Sequence, residues 1–186
     1  IVGGAPTAVF EDPLPYFFSQ TPGTGQPKQA PGGMMGGGAP MPKADIRQLW
    51  KLLGITSPGR VNPQSFRPPP LWQPDVVWQQ FNPYQKIQIN AFTDEWVFIR
   101  NEAPGGEKSL TPDEDVTAGI DEVLLPYPAA IEPAVDSDLR FIKLLQTGSV
   151  SGTIRYDDLM RYEGSDPQML RAKQVQRGRQ VVAAWI

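Results

Sequence analysis

The 186-residue sequence contains neither cysteine nor histidine. Without them the chain cannot form a disulfide, a thiolate or imidazole zinc site, a Ser-His-Asp triad or a cysteine nucleophile. Missing cysteines fit any compartment, so redox location stays open. Basic residues are not clustered, and 17 Lys+Arg against 20 Asp+Glu give a formal charge of -3. That balance argues against a nucleic-acid footprint or a polybasic membrane patch. No stretch approaches the roughly 18 apolar residues needed to span a bilayer. The sequence starts at Ile1, shows no charged-then-apolar leader pattern, and stops inside the apolar run Val181–Ile186. The expectation is an excised, soluble piece of a longer protein, with any membrane anchor elsewhere.

Glycine (18) and proline (21) are abundant, which implies much irregular backbone. Residues 19–44 read as a flexible Gly/Pro-rich insertion that includes Gly36-Gly37-Gly38, and residues 56–74 as a Pro-rich loop around Pro68-Pro69-Pro70. Between them Ile46, Leu49, Trp50, Leu52 and Leu53 predict a helix, with Asp45 at its start and Gly54 just past its end. Strands are predicted at Thr7–Phe10, Val76–Trp78, Trp96–Ile99, Val123–Leu125, Phe141–Leu145 and from Val181 onward. Asn82-Pro83-Tyr84 marks a turn, Thr111-Pro112-Asp113-Glu114 has the form of a helix start, and residues 157–161 read as a short helix. Apolar strands interleaved with helical segments point to a single, incomplete α/β domain over residues 1–186. Its expected core is a partial Rossmann/flavodoxin-like mixed sheet in which the first and last strands are buried.

Several motifs invite chemistry and each has a plainer reading. Gly32–Gly38 lacks the Gly-Lys-Ser/Thr frame of a Walker loop and reads as linker. Gly148-Ser149-Val150-Ser151-Gly152 carries Val150 where a nucleophile elbow needs its serine, so it reads as a tight turn. Glu11 and Asp12 follow the first predicted strand, where open α/β sheets bind ligands, and are the candidate ligand-binding residues. The plainer alternative is a solvated or capping acidic pair. Asp157-Asp158 reads as a helix cap. Tyr16, Phe17, Phe18, Trp72, Trp78, Trp96 and Trp185 suit either a carbohydrate platform or core packing. No residue is assigned to catalysis, to a cofactor or to a metal.

Taken in order, the segments resemble the GldG-type auxiliary proteins of uncharacterised ABC transport systems, in their glycine- and proline-expanded, planctomycete-like form. The segments that carry the likeness are residues 6–15 and 42–55, then 78–84, 117–123, 125–131 and 144–152. Their order and spacing, rather than any single piece, make the resemblance, which runs from residue 6 to about 155. It implies a fragment of a large extracytoplasmic (periplasmic) α/β domain in a membrane-anchored bacterial protein. Such proteins accompany an ABC permease and ATPase in gliding motility or export. The expected function is therefore a non-catalytic auxiliary domain that docks on transporter partners or binds a ligand. The alternative is a carbohydrate- or glycan-binding module centred on Glu11 and Asp12.

Overall fold

The computed structural model describes residues 7–9, 11–15, 23–26, 28, 43–62, 71–84, 93–112, 114–162 and 167–186. In chain order these hold α1 (Arg47–Leu52), β1 (Ile55–Thr56), β2 (Gly59–Val61), β3 (Trp72–Pro74), β4 (Val76–Gln79), β5 (Trp96–Ile99) and β6 (Val123–Pro126). There follow β7 (Glu132–Pro133), β8 (Ile142–Gln146), β9 (Ser151–Ile154), α2 (Tyr156–Tyr162), α3 (Pro167–Arg171), β10 (Val175–Gln176) and β11 (Val181–Trp185). Among the described residues no helix is long and apolar enough to cross a membrane.

Among the described residues the expected Rossmann/flavodoxin-like mixed sheet does not form. The strands make a three-stranded sheet ordered β10-β9-β4 and the pairs β1-β7, β2-β3, β5-β6 and β8-β11. Every one of these pairings is antiparallel. A parallel βαβ unit needs a crossover of a dozen or more residues, usually helical. Here α1, α2 and α3 have only 6, 7 and 5 residues. The apolar runs that suggested parallel strands have another cause: β4 and β5 are buried on both faces.

Period-two alternation divides those strands between two apolar clusters. Val76, Trp78, Trp96 and Phe98 join Tyr127, Ile154, Tyr156, Leu159 and Leu170 in the first. Val77, Val97 and Ile99 join Leu110 and Ala130 in the second, with Leu145 and Val182 packed against it. Thus α2 and α3 cover one side, and β8 and β11 cover the other. Val76, Val77, Val97 and Ile99 have no exposed surface, and such burial is worth about 1.5–3 kcal/mol per side chain.

Backbone hydrogen bonds carry the ladder from sheet to sheet. Tyr127 N–H donates to Glu95 O at 2.9 Å and Val77 N–H to Pro128 O at 2.7 Å, so the chain leaving β6 passes from β5 to β4. Tyr127 makes that step with φ of 52°, in the left-handed region. Ile131 N–H then reaches Val181 O at 2.8 Å, which joins the same segment to β11.

A buried polar chain locks these elements. Gln79, 2% exposed, donates its amide Nε2–H to Phe98 O of β5 at 2.7 Å. Its Oε1 accepts from Gly148 N–H at 2.6 Å in the β8–β9 connection. There Thr147 Oγ1 accepts from Gln180 N–H at 2.8 Å and lies 2.6 Å from Ser151 Oγ. Ser151 Oγ is in turn 2.7 Å from Gly148 O and 2.8 Å from Gly178 O. The expected turn at 148–152 therefore stops early, because Ser151 and Gly152 belong to β9. A Cβ on Gly152 would sit 1.9 Å from Val175 O, so only glycine lets β10 approach this closely.

Other expectations meet mixed outcomes. The helix after Asp45 forms, Asp45 Oδ1 accepts from Arg47 N–H at 3.1 Å, and Gly54 takes φ of 62° past the helix end. Leu52, expected on the apolar face, is 66% exposed, whereas Trp50 is buried. The predicted first buried strand is absent: Thr7, Ala8 and Val9 are exposed and irregular, and Phe10 lies outside the described residues. The last strand exists as β11, but Trp185 is 54% exposed rather than buried. No helix starts at Thr111. Its N–H donates to Leu144 O at 3.1 Å and Thr117 closes a turn on Glu114, which pulls the segment towards β8; Asp113 lies outside the described residues. Residues 56–74 include β2 and β3, paired from Gly59↔Pro74 to Val61↔Trp72. Arg67 and Pro68–Pro70, Gly32–Gly38 and Tyr16–Phe18 lie outside the described residues.

Replacing Gln79 by Leu leaves the buried Gly148 N–H without its acceptor and takes the amide donor from Phe98 O, each change costing about 1–3 kcal/mol. Urea unfolding of the Gln79→Leu variant is expected to show a loss of about 2–5 kcal/mol. A loss below about 1 kcal/mol, within the range of ordinary surface changes, would show that the amide is not a structural bridge.

Candidate functional site

Glu11 and Asp12 sit in a loop that is held by its own contacts. Trp50 Nε1–H, from the buried side of α1, donates to Glu11 Oε2 at 2.7 Å. Asp12 Oδ1 accepts from Leu14 N–H at 2.9 Å, a local turn, and Asp12 O accepts from Thr24 N–H at 2.9 Å. Lys43 Nζ donates to Gly23 O at 2.5 Å and lies 3.3 Å from Thr24 O and Gln26 O. One ammonium group thereby closes the two described ends of the 19–44 segment on each other.

Electrostatics follow burial. Desolvation pushes the Glu11 carboxyl above its ordinary range, although Thr24, Trp50 and Lys43 pull it back. Desolvation likewise raises Asp12, against the Leu14 hydrogen bond, and lowers Lys43. Asp75 is also raised, because burial outweighs the attraction of Arg177, Arg60 and Arg155. Asp157 and Asp158, expected to cap a short helix, lie in the first turn of α2, and Asp157 is also bonded to Arg60 of β2.

The larger concavity lies elsewhere, at the C-terminal end of β4 and the start of β5. It encloses about 320 Å³ and is lined by Gln80, Asn82, Thr93, Asp94, Trp96 and Arg171, among others. Three local features place these side chains. Asn82 Oδ1 accepts from Tyr84 N–H at 2.8 Å and shapes the turn after β4. Asp94 O accepts from Gln79 N–H at 2.8 Å and holds the approach to β5. Gln174 Nε2–H donates to the buried Glu95 at 2.9 Å, which ties the segment after α3 to the start of β5. Arg171 then meets Asp94 at 3.1 Å.

Neither Glu11 nor Asp12 lines this cavity, and a small second hollow of about 20 Å³ beside Lys43 and Trp72 does not include them either. Trp72 instead receives Arg47 over its ring at 5.0 Å and packs edge-on against Trp50 at 6.4 Å. Of the aromatic residues singled out in the sequence, Trp96 is the one that lines the larger cavity. Thr93, Asp94 and Arg171 were not singled out. The available signal was faint: a polar turn, Thr93-Asp94-Glu95, directly before an apolar strand, and an arginine opening a basic stretch. Ser151 offers no nucleophile, since its hydroxyl is buried among Thr147, Gly148 and Gly178. Among the described residues no three His, Cys, Asp or Glu side chains come close enough to hold a metal ion.

No protein-family profile, no curated protein and no solved structure matches this chain.

The raised Glu11 carboxyl fixes the sign of a pH effect. A folded state that holds its proton more tightly than the unfolded state is favoured below the ordinary value of 4.5 and loses that advantage as pH rises through the folded value. Glu11→Gln keeps an acceptor for Trp50 Nε1–H and removes the charge. The variant is expected to match or exceed the parent in urea stability at pH 7, with the gap closing as pH falls to about 4. A variant clearly weaker at pH 7 would mean that attraction to Lys43 outweighs desolvation.

Proposed function

We propose that the chain is a non-catalytic auxiliary domain of an ABC-type transport or gliding-motility system, acting on the extracytoplasmic face of the membrane to which its parent protein is anchored. The observation that carries this reading is the ordered series of segments from residue 6 to about 155 that resembles GldG-type proteins. The α/β architecture implied by that resemblance is not the one present, so the support is the series of segments and not the fold. Glu11, Asp12 and Ser151 are engaged in structural hydrogen bonds, which accords with a non-catalytic role. Its partners in this reading are an ABC permease and its ATPase.

A second reading, carbohydrate binding, draws support from the 320 Å³ cavity, whose lining includes Gln80, Asn82, Asp94, Arg171 and Trp96. Glu11 and Asp12 carry less of it, because hydrogen bonds already hold both side chains.

Affinity purification of the full-length parent from detergent-solubilised membranes is expected to bring down an ABC permease and ATPase, and this segment is expected to be cleaved by protease added outside spheroplasts. Recovery without either subunit, or protection from external protease, would overturn the transport reading.

A further inference from the structure

We propose that the cavity between β4, β5 and α3 binds a small neutral polyhydroxyl ligand, of the size and chemistry of a monosaccharide, read by the Asp94–Arg171 pair and the Thr93 hydroxyl. This inference rests on the carbohydrate-binding reading and is independent of the transport reading.

Size is the first argument. About 320 Å³ lies at the lower end of the roughly 300–1,000 Å³ of small-molecule sites, which suits one sugar ring better than a cofactor. The lining combines apolar and polar residues. Trp96 and Phe98 line the cavity while being only 6% and 2% exposed, so both are held by packing. Gln80 and Asn82 add amide side chains along the same wall.

Charge is the second. Asp94 and Arg171 meet at 3.1 Å, with side chains 16% and 59% exposed. The pair is neutral as a unit, so the cavity selects neither an anion nor a cation. What it presents is a carboxylate acceptor beside a fork of guanidinium donors. Two adjacent hydroxyls complement that arrangement, one donating to Asp94 and its neighbour accepting from Arg171.

The third is an unmet hydrogen bond. Thr93 lines the cavity, and its Oγ1, covered in the free protein, makes no hydrogen bond among the described residues. A buried hydroxyl without a partner is unfavourable in the free protein, and rotation about χ1 to face the cavity would let a ligand hydroxyl supply the missing contact.

Calorimetry and saturation-transfer NMR on the whole chain with D-glucose, D-galactose and N-acetyl-D-glucosamine test this, with inorganic phosphate and L-glutamate as charged counterparts. At least one sugar is expected to saturate the protein below about 10 mM, with the charged probes binding more weakly. Thr93→Val should weaken sugar binding about tenfold while leaving Tm unchanged or higher, since it removes an unpartnered hydroxyl. Asp94→Asn should weaken it at least about tenfold and give phosphate a measurable affinity, because Arg171 loses its counter-charge. Saturable sugar binding that both variants leave intact would place carbohydrate elsewhere on the chain and overturn this site alone. Absence of any saturable sugar binding by about 10 mM, or a preference of the unaltered protein for phosphate or glutamate, would overturn the site and the carbohydrate reading together.

Discussion

One side-chain amide ties the architecture together. Gln79 ends β4, and it bonds Phe98 O in β5 on one side and Gly148 N–H in the β8–β9 connection on the other. Thr147 and Ser151 extend the chain to Gln180 and Gly178, the residues that lead into β11. Three of the five small sheets, β10-β9-β4, β5-β6 and β8-β11, are held in fixed relation by this polar seam. In a low-dielectric interior such contacts are strong when complete and costly when broken, which makes the arrangement a single unit. The cavity inherits that rigidity, since Gln79 N–H bonds Asp94 O at its edge.

Apolar burial supplies the bulk of the stabilisation and the seam supplies the register. Val77, Val97 and Ile99 face one cluster and Val76, Trp78, Trp96 and Phe98 the other. A one-residue slip in β4 would exchange its two faces, placing Val77 among the aromatic residues and Trp78 against Leu110 and Ala130. Gln79 opposes such a slip, because only its present position reaches Phe98 O and Gly148 N–H together. The close packing of β10 on Gly152 adds a steric constraint at the opposite side of β9.

Local elements were legible in the sequence where pattern and propensity agreed. Trp96–Ile99 and the run from Val76 read as strands because β-branched and aromatic residues sit between turn signals. Gly54 marked the end of α1 because its position demands positive φ. The assembly was not legible. A continuous apolar run looks the same whether helices or other strands cover its second face, so β4 and β5 suggested a parallel sheet. Ser151–Ile154 was hidden for the opposite reason: serine, glycine and threonine read as turn residues, yet their small side chains are what allow β9 to sit between β4 and β10. Glu11 and Asp12 were visible as acidic residues, but only the tertiary contacts from Trp50 and Leu14 show how they are used. The Asp94–Arg171 pair spans 77 positions, and neither residue signals the other in one sequence.

The functional readings share a physical basis: a rigid antiparallel frame carrying a preformed polar cavity at the end of its most buried strands. Native-state hydrogen exchange tests that basis most directly. Gly148 N–H and Gln180 N–H, both donated to side chains of the seam, are expected to exchange as slowly as Val77 and Val97 N–H and with the same denaturant dependence, which marks global unfolding. Exchange of those two amides orders of magnitude faster and independent of denaturant, while β4 and β5 stay protected, would contradict the claim that the Gln79 seam holds the sheets as one unit.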